Sequence, residues 1–459
     1  MRAEDRDPVS SFRIGCGAGY AGDRIDPAQA LAEQGRLDVL VFECLAERTI
    51  ALAQLRKQRD PSQGYDPLLE ERMRAVLPAC LRQGTRIVSN MGAAHPQAAG
   101  AAVLRVAHEL GLPPLQVAVV TGDDVLAWVR EHDAALLDAD CRASDLGERL
   151  VSANAYLGAD ALLPALSSGA PVIITGRVAD PALFLAPLMH RFGWRADDWA
   201  QLGQGVLVGH LLECAAQVSG GYIADPGQFE VPGLEELGFP LAEVQADGSA
   251  VITKLPGTGG RVDRLTCTAQ LLYEIEDPAR YLQPDVVADF SRVQLHELGP
   301  DRVRAQGASG SERPTHLKAT LGYRDGFIGE GQISYAGPGA VARGRLAVRL
   351  LEHRLQRLGW AGHEHRAELI GVDAMHGAAI AERSGTEPEP REVRVRLAVR
   401  CETHAAAERV GQEVEALYLN GPAAGGGVTQ SVREVIAAAS VLVPREATHP
   451  QVTLLGTPA

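Results

Sequence analysis

The sequence predicts an α/β protein: a Rossmann-like, mostly parallel sheet in an N-terminal domain spanning 11–235, then a smaller α+β region. Three observations carry this expectation. Up to about residue 230, short apolar runs alternate with longer amphipathic ones, the pattern of successive βα units. Each apolar run ends on polar or charged residues. Beyond residue 235 the texture changes to β-rich runs divided by glycines. Six strand candidates fall short of an eight-stranded barrel, so an open sheet is preferred to a barrel-like variant.

In chain order, Phe12–Cys16 is the first strand and leads into a glycine loop, Gly17 to Arg24. Asp26-Pro27 reads as an N-cap with proline at the first helical position, and Gly35 closes that helix. The second strand, Leu37–Phe42, runs into Glu43, Cys44, Glu47 and Arg48. A helix over Asp66–Gln83 precedes the third strand, Arg86–Ser89, whose loop holds Asn90, Gly92 and His95. After the helix Pro96–Glu109, the strand Gln116–Val120 gives way to Thr121, Gly122, Asp123 and Asp124. Val151–Ala155 carries Asn154, and Pro171–Thr175 leads to Gly176, Arg177 and Asp180. Loops at the carboxyl ends of parallel strands share one edge, so these scattered polar residues are expected to converge.

A buried helix follows over 203–221, with His210 and Glu213 on one face. Residues 236–340 form a β-rich segment in which Arg324-Asp325-Gly326 signals a hairpin. The last segment, 341–459, reads as α+β. It holds a helix over Ala340–Leu358, a half-exposed strand over Glu392–Cys401 and a helix over Thr403–Leu417. Residues 383–391 read as an exposed loop. The glycine-rich stretch 420–428 reads as the lead into a helix from Thr429.

A net charge of −14 argues against nucleic acid or an anionic membrane surface as partner. No run approaches the ~18 apolar residues of a membrane span, and the charged start MRAEDRDPVSS is not a signal peptide. The seven cysteines are odd in number and lack zinc spacing. They fit buried thiols in a reducing cytoplasm. High apolar content in an acidic chain favours a homo-oligomer. His363-Glu364-His365 lacks the further convergent ligands of a zinc site, so no metal is expected.

Gly17, Gly19 and Gly22 spell G-x-G-x-x-G, and Glu43 stands 21 residues after the third glycine, as a dinucleotide fold would have it. The helix start argues otherwise. A cap at Asp26 moves the glycines out of the pyrophosphate cradle, and Asp23 would face the anion. The loop is better read as one wall of a substrate pocket.

Seven stretches in order, IGCGAGYAGDRIDPA, LDVLVFECLAERTIA, NMGAAHP, ITGRVADPALFLAPL, GHLLECAAQVSGGYIADPG, TAQLLYEIEDPARYLQPDVVAD and NGPAAGGGV, resemble the acyclic terpene utilisation AtuA family. The resemblance runs from about Phe12 to Glu446. It implies a place in the degradation of branched terpenoid acids through CoA thioesters, without a nicotinamide cofactor. Relatives often carry an additional C-terminal ferredoxin-like domain. This chain stops at Ala459 without one, which implies either a separate small ferredoxin-like partner or a member that dispenses with it.

Acidic, basic and amide side chains at strand ends, with no cofactor signature, suit acid/base chemistry on a small carboxylate-bearing substrate, and the resemblance implies an acyl-CoA. Asp23 or Glu43 is the candidate base and His95 the acid. Asn90 and the loop amides are candidate oxyanion donors. Gly17, Gly19, Gly22 and Arg24 would line the substrate. Arg177 would fork a carboxylate, with Asp180 orienting it or acting as base. Lys254 and the glycines at Gly425 and Gly426 are candidate anion contacts. The leading expectation is a hydratase or lyase without a redox cofactor. The alternatives are a non-catalytic assembly subunit of a terpenoid or branched acyl-CoA degradation complex and, behind it, an NAD-dependent dehydrogenase.

Overall fold

The computed structural model describes residues 11–384 and 389–457. Its elements begin with β1 (Phe12–Ala18), α1 (Asp26–Gln34), β2 (Val39–Phe42), α2 (Glu47–Arg59), α3 (Leu69–Gln83), β3 (Arg86–Ser89) and α4 (Pro96–Glu109). Next come β4 (Gln116–Thr121), α5 (Leu126–Glu131), α6 (Ala143–Leu146), β5 (Leu150–Ala155), α7 (Leu163–Ser167) and β6 (Val172–Thr175). Then follow α8 (Ala182–Phe192), α9 (Trp199–Glu213), β7 (Pro240–Val244), β8 (Ala250–Lys254) and α10 (Arg264–Leu271). The short strands β9 (Tyr281–Leu282), β10 (Val287–Asp289), β11 (Gln294–Gly299), β12 (Arg302–Gln306) and β13 (Ser309–Ser311) lead to the long β14 (His316–Ala336). The chain continues with α11 (Ala340–Arg357), β15 (His365–Ile370), α12 (Ala378–Ser384), β16 (Glu392–Cys401), α13 (His404–Glu415) and α14 (Leu417–Asn420). It ends with β17 (Gly425–Pro444) and β18 (Gln451–Gly456).

The chain divides into two compact units, one running to Gly322 and resuming at Ala438, the other comprising Tyr323–Ala437. In the first unit a ten-stranded mixed sheet has the order β11-β12-β8-β7-β1-β2-β3-β6-β4-β18. The strands β1, β2, β3, β6 and β4 are parallel, and they are near-continuous apolar runs because helices cover both faces. α1, α3 and α4 pack together on one face and α7, α8 and α9 on the other. The flanking strands β7, β8, β12, β11 and β18 are antiparallel additions. Strands from 240–306 thus extend the same sheet as strands from 12–175. Among the described residues no helix is long and apolar enough to cross a membrane.

The second unit has its own core. Ile333, Tyr335, Val395, Leu397, Val410 and Val414 are buried where α11 and α13 cover antiparallel strands. Alternation in Glu392–Cys401 puts every second side chain of β16 inward, as the sequence pattern requires.

Several local expectations are corrected. The strand candidate at 151–155 forms as β5 but pairs with β14 rather than joining the parallel sheet. Gly17 lies inside β1, where a Cβ would meet the Phe42 ring at 2.6 Å. Helix α1 starts at Asp26 with the apolar Ile25 as its cap residue, so no side-chain cap bond forms, and the Asp26 carboxylate accepts from Arg24 instead. The hairpin expected at 324–326 is absent among the described residues. β14 runs through, and Gly326 (φ 76°) lets its backbone approach the Cys401 carbonyl. Thr429 lies in strand β17, not at a helix start. Of the loop expected at 383–391, residues 385–388 lie outside the described residues.

Gly19 is fixed by packing. A Cβ there would stand 2.5 Å from the Cys214 carbonyl carbon and 2.8 Å from the Ala215 nitrogen, backbone atoms that cannot swing away. Gly19→Ala is therefore expected to destabilise the protein by about 1–3 kcal/mol, as overpacking does. In Gly22→Ala the new methyl meets only the exposed Tyr20 ring, so a loss well under that of Gly19→Ala is expected. Urea unfolding of both variants checks the contrast.

Candidate active site

β3 and β6 are neighbours, yet the helices that follow them, α4 and α8, lie on opposite faces of the sheet. Such a switch in direction opens a crevice at the carboxyl ends of the strands. Glu43, Asn90, Asp123 and Arg177 all stand there, each directly after a parallel strand or one residue beyond it.

Arg177 is the hub, with a fully buried side chain. Its Nε donates to the Val178 carbonyl at 2.9 Å, and its two terminal nitrogens donate to the Leu45 carbonyl and the Asp180 carboxylate. Its guanidinium lies over the Tyr156 ring, 4.1 Å from the centroid. Burial opposes the charge, but Asp180, Tyr156, Glu43 and Glu47 outweigh it and hold Arg177 firmly protonated. Its backbone N–H donates to Asp123 at 3.0 Å, and Asn154 donates to the same Asp123 oxygen at 2.8 Å. Gly176 makes this approach possible, since a Cβ there would lie 2.5 Å from the Asp123 carboxylate.

Glu43 is buried beside this hub. One carboxylate oxygen accepts from the Leu45 N–H at 2.8 Å and the Asn90 amide at 2.9 Å, while Asn90 in turn accepts from the Cys44 N–H at 2.8 Å. Burial pushes the Glu43 carboxyl well up; the negative charge of Asp180 adds to this and Arg177 opposes it. Glu213, on α9, is raised in the same way by burial, then by Asp180 and Glu274, against Arg177. It meets His210 Nδ1 at 2.9 Å, one helical turn earlier. Burial lowers His210 to about 4, so its imidazole is neutral at neutral pH. Asp180 is raised too, by desolvation, with Arg177 pulling the other way. Its side chain nevertheless keeps 37% of its surface open.

That open surface faces a cleft of about 670 Å³ within the first unit, a size suited to a small-molecule ligand. Leu137, Leu282, Leu317 and Leu442 make it largely apolar. Tyr156 and Lys318 add polar atoms. The Tyr156 hydroxyl donates to Glu47 at 2.6 Å, and Lys318 Nζ donates to the same oxygen at 3.1 Å. Burial works against the Glu47 charge, but these two bonds win and lower it to about 2.

The structure thus brings together Glu43, Asn90, Arg177 and Asp180 from the residues singled out in the sequence. The others are engaged locally. Asp23 accepts from the Gly19 and Arg24 N–H groups at 2.9 Å, turning the loop's amides onto its own carboxylate. Arg24 is exposed and bonded to Asp26 and the Glu235 carbonyl. His95 is the cap residue of α4, with Nδ1 3.4 Å from the Ala98 N–H. Lys254 is buried against the Thr258 carbonyl and pairs with Asp301 at 3.1 Å. Gly425 and Gly426 lie on β17 within 323–437, in the strand that replaces the expected helix.

Tyr156 and Arg72 escape sequence reasoning. Arg72 looks like a surface residue of an amphipathic helix. It is fully buried and donates to the Ala21 and Asp23 carbonyls of the glycine loop and to Cys44 Sγ. The only signal for Tyr156 is its place just after β5.

The cleft wall also holds a pH-sensitive support. Asp285, next to Pro284 of the cleft, accepts from the Ala159 N–H at 2.9 Å and is raised by burial to about 6. A folded value above the unfolded value of about 3.9 means that the fold favours the protonated form. The ionised form therefore weakens stability above pH 6, and the effect vanishes below about pH 4. Asp285→Asn, which mimics the neutral acid, is expected to gain about 1–3 kcal/mol at pH 8 and nothing at pH 4. Urea melts at both pH values check this.

Among the described residues no three His, Cys, Asp or Glu side chains are grouped to hold a metal ion. No curated protein and no solved structure matches the chain. The family model described as acyclic terpene utilisation family protein AtuA matches residues 12–454, nearly all of it. The chain belongs to the AtuA family, and this membership implies a role in acyclic terpene utilisation.

Proposed function

We propose that this protein is an acid/base enzyme, a hydratase or lyase, acting on an acyclic isoprenoid acid or its thioester without a redox cofactor. One observation supports this above the rest. Three carboxyl groups, Glu43, Asp180 and Glu213, surround one buried arginine, and only Asp180 opens onto the apolar cleft. Closely spaced carboxyls cannot all ionise, so such a cluster supplies a protonated acid and an ionised base at one pH.

In this reading Asp180, drawn toward its charged form by Arg177, takes or returns the proton at the carbon beside the carbonyl. Carrying that proton, Asp180 passes it to the departing hydroxyl, which leaves as water, and in the reverse direction it takes a proton from the attacking water; Glu43 and Glu213, raised by burial, stand behind Arg177 and bias the charge of Asp180. Lys318 lines the cleft and has two N–H groups beyond its bond to Glu47, which in this reading serve the developing oxyanion. Asn90 positions Glu43 instead of contacting the oxyanion. The leucine wall receives the branched chain. The Rossmann-like character enters only as a ligand crevice at a sheet switch point. The glycine loop acts as scaffold, because Gly17 and Gly19 are taken up by packing.

The test is mass spectrometry of isoprenoid acids and their enoyl- and hydroxyacyl-CoA thioesters after incubation with the protein, alone and with a small ferredoxin-like protein. A mass change of one water or of a carbon fragment is expected. Complete absence of turnover across the panel would remove the enzymatic reading in favour of an assembly subunit.

A further inference from the structure

Arg177 was the sequence's candidate for holding a substrate anion, yet its nitrogens are bonded to Leu45, Val178 and Asp180. The charges lining the cleft show what replaces it. Asp180 is paired with Arg177 and Lys318 with Glu47. Arg280, exposed at the cleft just before β9, has no side-chain partner among the described residues. The cleft therefore carries one unbalanced positive charge, on the residue type best shaped to fork a carboxylate or phosphate. His316 lines the same cleft, its Nδ1 3.0 Å from the Thr315 hydroxyl. The next residue after Arg280, Tyr281, packs its ring 5.4 Å from the ring of His210, so the strand that begins right after Arg280 is anchored on the site.

We propose that Arg280 is the anion-recognition residue of this cleft, binding the oxyanion of the substrate while the apolar chain lies on the leucines and the reacting carbon reaches Asp180. This rests on the acid/base reading of the same site. Its ligand chemistry is one oxyanion with two sources: the carboxylate of a free acid, or a phosphate of the carrier in a thioester.

The experiment is calorimetric titration of the full chain and of its Arg280→Gln and Arg280→Lys variants. The ligands are geranate and geraniol, octanoate and octanol, and geranoyl-CoA against geranoyl-pantetheine, which lacks the phosphates. Loss of a charged hydrogen bond should weaken binding of the recognised anion by about tenfold or more in Arg280→Gln. Arg280→Lys should recover part of it, and the alcohols should be unaffected. Weakened geranate identifies the carboxylate as the bound group. Weakened geranoyl-CoA with unchanged geranoyl-pantetheine identifies the carrier phosphate. If Arg280→Gln binds every anion as the unaltered chain does, or if acids and alcohols bind alike and the two thioesters bind alike, the proposal is overturned. Arg280-dependent binding of octanoate with no binding of any geranyl ligand keeps the anion subsite and removes the terpenoid substrate reading.

Discussion

Arg177→Met is expected to lose about 3–5 kcal/mol of folding stability, the range for breaking a buried ion pair from one side. The loss is large because four interactions go together. The Leu45 and Val178 carbonyls lose their donors, Asp180 loses its counter-ion, and the Tyr156 face loses its cation. Glu43, already raised by burial, loses the one charge that lowers it. Arg177→Lys should recover only part of this, since an ammonium cannot reproduce the planar fork. Urea unfolding at pH 7 measures both variants. A loss under about 1 kcal/mol for Arg177→Met would mean that the pair is no more than a surface-type bridge.

Asp180→Asn is expected to reduce kcat by about 10²–10⁴, the usual contribution of a positioned general acid or base. Binding should change little, because asparagine fills the same volume and its carbonyl oxygen still accepts from Arg177. The stability loss should therefore stay well below that of Arg177→Met. Steady-state kinetics on whichever isoprenoid thioester or acid turns over, with the melting curve alongside, separates a chemical role from a structural one. A variant that folds normally and retains full kcat would leave Asp180 as the partner of Arg177 and nothing more.

What the sequence discloses here follows its physics. Polar residues that directly follow apolar strands are placed by the strands themselves, so Glu43, Asn90, Arg177 and Asp180 could be grouped without coordinates. Period-two alternation in Glu392–Cys401 made β16 visible at its full length. Glycines misled where one conformation serves several purposes. Gly326 signals a turn but sits in a continuous strand, and Gly425 and Gly426 open a strand. The glycines at 17 and 19 spell a phosphate motif but answer to Phe42 and the Cys214 backbone. Long-range partners stayed hidden. Nothing local says that Lys318 meets Glu47 across 271 positions, or that Arg72 reaches back to the glycine loop.

The most direct test of the carboxylate cluster as acid/base machinery is solvent isotope labelling. The protein and its Asp180→Asn variant are incubated in D₂O with an acyclic isoprenoid acid and its thioester, and the products are read by mass spectrometry and NMR. The account predicts deuterium at the carbon beside the carbonyl with the unaltered protein, and labelling slowed by about a hundredfold or more in Asp180→Asn. Equal labelling by the two proteins, or no labelling of any acid or thioester by the unaltered one, would contradict it.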